Sequence, residues 1–139
     1  MKLAALVLLL ATPSAVMADD CRPAARGYFS ANSAVSEAMK LVGTGTKGWS
    51  DLKADDTNRA AYEAAKTALG TYASAVDAYA SAVKDAEPHL ATCNAKGDLP
   101  AADIATLTLA STRALDVLDS GQAYLKAFTA AQPTAPATK

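Results

Sequence analysis

Apolar residues recur every seventh position over most of this chain, and the repeat is plainest at Tyr72–Val83, YASAVDAYASAV, where Tyr-Ala-Ser-Ala-Val occurs twice. With Tyr62 as position a of a heptad, the a positions are Tyr62, Leu69, Val76, Val83 and Leu90. The d positions are Ala65, Tyr72, Tyr79, Ala86 and Cys93. Two apolar positions per seven residues, sustained in this way, is the period of a helix packed lengthwise on other helices. Lys66, Asp77, Lys84 and Asp85 fall outside a and d, on the side left to solvent. The pattern predicts a long second helix from Asp55 or Thr57 to Ala95.

The same period flanks it. Tyr28, Val35 and Val42 stand seven apart and predict a first helix over Pro23–Val42. A third, over Ala101–Ala130, carries a stripe of Ile104, Leu107, Ala114, Leu118, Gly121, Leu125 and Phe128. Val117 and Tyr124 widen that stripe to one side, as expected of a helix touching two neighbours. Gly43, Gly45 and Gly48 separate the first two helices. Asn94–Pro100 separates the last two, with Gly97 suited to the left-handed residue that ends a helix. No run of β-branched and aromatic residues alternates with period two, so no strand is expected.

These elements predict an all-α fold, an antiparallel helical bundle of three long helices. Four elements result if helix 2 breaks at Pro88, which lies at the outward f position but removes a backbone donor. The lengths do not match: the first helix is about 30 Å and the second about 60 Å at 1.5 Å per residue. Either the 43–56 connection adds length, or helix 2 bends near Gly70 or Pro88.

Alanine, roughly a quarter of the chain, favours helix nearly everywhere. Residues 1–18 are an exception in kind. Lys2, the apolar run Leu3–Ala11 and the small residues before Asp19 form a signal peptide cleaved near Ala18, with Val16 and Ala18 at the −3 and −1 positions. The charged MADD before Cys21 argues against a lipid-attachment signal. The expected organisation is a leader at 1–18, a helical bundle domain at 19–131 and a disordered proline- and threonine-rich tail at 132–139. The address implies a periplasmic or secreted protein with no membrane span in the mature chain.

Removing Lys2 from the 13 basic residues leaves 12 against 14 acidic ones, a net of about −2, which excludes the basic footprint of a nucleic-acid binder. Two cysteines in an exported chain imply one disulfide, Cys21–Cys93, with free thiols or an intermolecular bridge as the alternative.

Candidate chemistry is sparse. Tyr62, Tyr72 and Tyr79 share the seam and could wall an apolar ligand, but helical spacing favours plain packing. The GTGTKG at Gly43–Gly48 fits G-x-G-x-x-G without the strand before and helix after that a dinucleotide site requires. Trp49 is the sole tryptophan; it can close the end of the bundle or anchor a partner. Asp51, Asp55 and Asp56 cluster beside it and lack the glycine and final glutamate of a calcium loop. Met39 and His89 could ligate haem in a bundle core, yet His89 only borders the seam and no C-x-x-C-H is present. One histidine and no free thiol leave little for nucleophilic or acid–base catalysis. The reading is therefore non-enzymatic and without cofactor: a binding module for another envelope or extracellular protein, with a connector site at Trp49, Asp51, Asp55 and Asp56. The alternative is a small-ligand or haem carrier using the seam.

Overall fold

A computed structural model describes residues 17–133. Most of the predicted leader and all but the first two residues of the predicted tail lie outside the described residues. The order is β1 (Ala18–Asp20), α1 (Arg22–Gly45), a 3-10 turn (Trp49–Asp51), α2 (Arg59–Lys96), β2 (Asp98–Pro100) and α3 (Ala101–Ala131). The three helices form the expected bundle. Helix α3 is its axis, packing against both α1 and α2, while α1 and α2 scarcely meet. The short Gly97–Pro100 link makes α2 antiparallel to α3; α1 runs the same way as α3, Val35 beside Val117 and Val42 beside Tyr124.

The heptads pack in three layers. At one end Cys21, Tyr28, Cys93, Leu99 and Leu107 form a sulfur and aliphatic cluster. The waist is Val35, Ala114 and Val117. At the other end Val42, Tyr124 and Phe128 meet Trp49 and Leu52. Small residues set the spacing between layers: a Cβ on Gly121 would come within 3.1 Å of Val42 and 3.3 Å of Tyr72. A side chain there would force the helices apart.

Helix α2 runs unbroken through Pro88, so there are three helices and not four. Pro88 is exposed, and so is Lys84, whose carbonyl loses its partner; on that outer face water can satisfy it. The length mismatch is met by the connector. Helix α1 runs on through Gly43 and Gly45, correcting the expectation that they separate the helices, and stops near Leu125; residues 46–58 cover what remains of α3, ending where Asn58 Nδ2 donates to the Ala131 carbonyl at 3.1 Å.

The expectation of no strand is corrected. β1 and β2 pair antiparallel, Ala18 opposite Pro100, Asp19 opposite Leu99 and Asp20 opposite Asp98. Three-residue strands carry no alternation to read. They form because Gly97, left-handed at φ 81°, turns the chain out of α2 directly beside Cys21, whose N–H donates to the Gly97 carbonyl at 3.3 Å. Cys21 and Cys93 lie at disulfide-bonding distance, with their Cα atoms 5.9 Å apart.

Candidate functional site

The residues singled out in the sequence do not converge on one place. Trp49 turns inward: its ring stacks on Tyr62 at 5.5 Å and meets Tyr124 edge-on at 6.0 Å. Tyr72 stacks on Tyr124 at 6.1 Å. Tyr79 leaves this group, its hydroxyl donating to Asn32 Oδ1 on α1. The tyrosine ladder is thus divided between two environments rather than forming one wall. Burial raises the phenol pKa of Tyr72 above the ordinary range, and that of Tyr79 with the added influence of Tyr28.

Asp55 organises the connector. Its Oδ1 accepts from the Thr57 hydroxyl at 2.6 Å, the Thr57 N–H at 2.7 Å and the Asn58 N–H at 3.0 Å. Those donors, the hydroxyl first, hold its carboxyl below the usual pKa range. Asn58 Oδ1 accepts the Asp55 N–H in return at 2.8 Å, so the pair closes the turn that launches α2. Asp56 pairs with Arg59 at 3.4 Å, and Asp51 is exposed.

Met39 and His89 are not brought together. His89 Nδ1 lies 3.4 Å from Asp103 Oδ2 in the first turn of α3. Met39 sits three residues before Val42, towards the aromatic end. Among the described residues no group of three or more His, Cys, Asp or Glu side chains could hold a metal ion. No described helix is long and apolar enough to cross a membrane.

Replacing Trp49 with alanine would open a gap among Tyr62, Tyr124 and Phe128. We expect a loss of about 2–3 kcal/mol, below the 3–5 typical of a fully buried tryptophan because Trp49 is half-buried. A urea titration followed by circular dichroism checks this; an unchanged midpoint would mean the ring is not needed to close the bundle.

The feature that sequence reading missed is a groove between α1 and α3, on the side away from α2. One section is walled by Ala34, Ala38 and Leu41 on α1 and by Leu118 and Leu125 on α3, around a cavity of about 200 Å³. It continues past Ala34 and Leu118 to Gly27, Ala31 and Leu115. Leu41 is 66% exposed and Leu115 59%. The sequence did hold a signal. Gly27, Ala31, Ala34, Ala38 and Leu41 step by four, three, four and three residues, a second heptad stripe on α1 beside the one ending at Val42. Leu115, Leu118 and Leu125 repeat that spacing on α3.

Compared with family models, with curated proteins and with solved structures, the chain matches none.

Proposed function

We propose that this is a non-enzymatic binding module of the cell envelope, periplasmic or secreted, that holds an apolar helical segment of another protein in the α1/α3 groove. The observation carrying this reading is the pair of exposed leucines, Leu41 and Leu115, set over a floor of small residues. Contiguous exposed apolar surface is a common sign of an interaction site. Both walls repeat with helical period, which suits a helix laid along the groove better than an extended strand. Glycine and alanine along α1 allow that helix to approach closely. The cysteine pair supports the extracytoplasmic setting, and the leader pattern extends it to export. With Trp49 engaged inside the bundle, the groove replaces the connector as the favoured contact surface.

The second reading is the carrier: its small-ligand form moves from the seam to this groove, while its haem form is left without its ligand pair, His89 lying beside Asp103 and away from Met39. The groove's two sections hold about 200 and 350 Å³, near the lower end of the roughly 300–1,000 Å³ of ordinary ligand pockets; the helical repeat of both walls is what favours the helical segment. An absorption spectrum of protein taken from its native compartment tests the haem form, since a Soret band belongs only to it, and native mass spectrometry of the same sample tests for a small ligand carried along.

The test of the leading reading is comparative capture. Wild type and the variants Leu115→Glu and Leu41→Glu are used as bait against extract of the native compartment, and bound proteins are identified by mass spectrometry. A partner held by wild type should fall at least about tenfold with either variant, since each loses about 1.5 kcal/mol or more of apolar burial and gains a buried charge. Both variants should keep wild-type helicity and melting temperature, because these side chains are exposed. Equal capture by wild type and both variants would remove the groove from consideration.

A further inference from the structure

The two sections of the α1/α3 groove share Ala34 and Leu118, which mark its midpoint. We propose that the groove pairs with the same groove of a second copy of this chain, antiparallel, about a two-fold axis at that midpoint. No other protein is needed for this, which sets it apart from the reading above.

Side-chain size is distributed unevenly about the midpoint. On α1, Gly27 lies seven residues before Ala34 and Leu41 seven after. On α3, Ser111 lies seven before Leu118 and Leu125 seven after. The two small residues stand side by side, a Cβ on Gly27 lying 3.7 Å from Ser111 Oγ. That end of the groove is the roomier, about 350 Å³ against about 200 Å³ where Leu41 and Leu125 enter the lining. Closer to the midpoint, Leu115 stands three residues before Leu118 and mirrors Gly121, three after.

Orientation follows from size. In an isologous contact, a residue on one side of the axis meets the residue at the same distance on the other side. With the axis crossing the helices, each α1 lies on the other α1 and each α3 on the other α3, in opposite directions. Leu41 then enters the hollow at Gly27 of the second copy, Leu125 comes to Ser111 and Leu115 to Gly121, each contact occurring twice. Large side chains seated over small ones are what close helix packing requires. A parallel copy would set α1 over α3 at the same level, Leu41 against Leu125 and Gly27 against Ser111. One end would be overpacked and the other empty.

Charge and area agree with this pairing. Among the described residues the lining of both sections holds one charged side chain, Glu37, which already pairs with Lys40 at 3.2 Å. Its mirror position is Ala31, so no like charges meet inside the groove. A face two helices wide is roughly 20 Å across, and Gly27–Leu41 with one turn at either end is about 30 Å long. The pairing covers about 600 Å² a copy, or about 1,200 Å² in all, the lower end of the range for specific interfaces. It takes Leu41 and Leu115, 66% and 59% exposed, out of water. A helix from another protein would compete with the second copy for this face.

The test is sedimentation equilibrium of the oxidised protein, purified from its native compartment, between about 1 μM and 1 mM. Wild type should be a dimer at the upper end and dissociate on dilution, as an interface of modest size does. Gly27→Leu sets leucine against Leu41 and should weaken the dimer at least about tenfold. The swap Gly27→Leu, Leu41→Ala again places a large side chain opposite a small one and should restore it to within about threefold. Leu115→Glu, which buries a charge against Gly121, should abolish the dimer. All three positions are exposed, so circular dichroism should show wild-type helicity throughout. Wild type that stays monomeric at about 1 mM overturns the proposal, and so does a dimer unmoved by Gly27→Leu and Leu115→Glu. A swap no better than Gly27→Leu alone overturns the antiparallel pairing. Capture of a partner by a monomeric wild type overturns the dimer and keeps the reading above; a dimer that captures nothing does the reverse.

Discussion

Removing the cystine, as the double variant Cys21→Ser, Cys93→Ser, is expected to lower the melting temperature by on the order of 15 °C. The two residues are 72 apart in sequence, and closing a loop of that size is worth about 4 kcal/mol in the chain-entropy model. At this domain size each kcal/mol corresponds to roughly 4 °C or a little more. The position adds to the effect. Helix α1 packs along α3 and hardly touches α2, so the cystine and the Tyr79–Asn32 hydrogen bond are main ties between α1 and α2. The ribbon depends on the same staple, and the double variant should lose it first. Thermal melts followed by circular dichroism measure the shift, and non-reducing electrophoresis of wild type should show a monomer. A drop of only two or three degrees would mean that packing on α3 alone holds α1 in place.

Val117→Asp is expected to leave the protein unfolded at room temperature. Val117 is 0% exposed, at the waist where α3 meets both other helices. Aspartate there removes about 2 kcal/mol of apolar burial and places a carboxylate among Val35, Ala114 and Val76, whose side chains offer it no hydrogen bond. Losses above about 4 kcal/mol are the mark of such buried charges, against total stabilities of about 5–15 kcal/mol. Val76→Asp and Val83→Asp should be milder, because both residues are only half-buried and an aspartate can lean towards water. Asp77→Ala and Lys84→Ala, fully on the solvent side, should melt within about half a kcal/mol of wild type. If Val76→Asp proved worse than Val117→Asp, α3 would not be the axis of the bundle.

The contrast between Val117 and Val76 shows how far the heptads could be read. Periodicity names the apolar face of each helix, and each named face is the one that packs. Tyr28, Val35 and Val42 are all buried, as are Leu107, Ala114, Gly121 and Phe128. What a one-dimensional repeat does not carry is how the faces are shared. The a positions of α2, from Tyr62 to Leu90, are all half-buried, whereas Ala65, Ala86 and Cys93 at d are fully buried, with Ala82 at g beside them. Val117 and Tyr124, read as a widening of the α3 stripe, lie at its centre. A helix touching two neighbours has its most protected line between the two contacts, and that line depends on where both neighbours sit.

The candidate sites divide the same way. Trp49 could be read as lid or as anchor, and only the positions of Tyr62, Tyr124 and Phe128 from two other helices give it a stacked partner. Asp55 looked like one of three clustered carboxylates. Its role in the turn before α2 follows from the hydroxyl and amides of Thr57 and Asn58, a local pattern that Asp-x-x-Asn in the sequence does contain. The groove needed both α1 and α3 in place, since neither stripe by itself says whether a third helix covers it.

By itself the sequence determined the three long helical stretches, the punctuation at Gly97 and the faces that pack. These follow from local rules, propensity and a seven-residue period, which act over a few turns of chain. The tertiary structure alone decided that α3 is the axis, that α1 leaves one flank uncovered, and that Ala18–Asp20 becomes a strand. Each of these depends on contacts between segments far apart in sequence, as when a glycine turn and a cystine set three unremarkable residues beside Leu99.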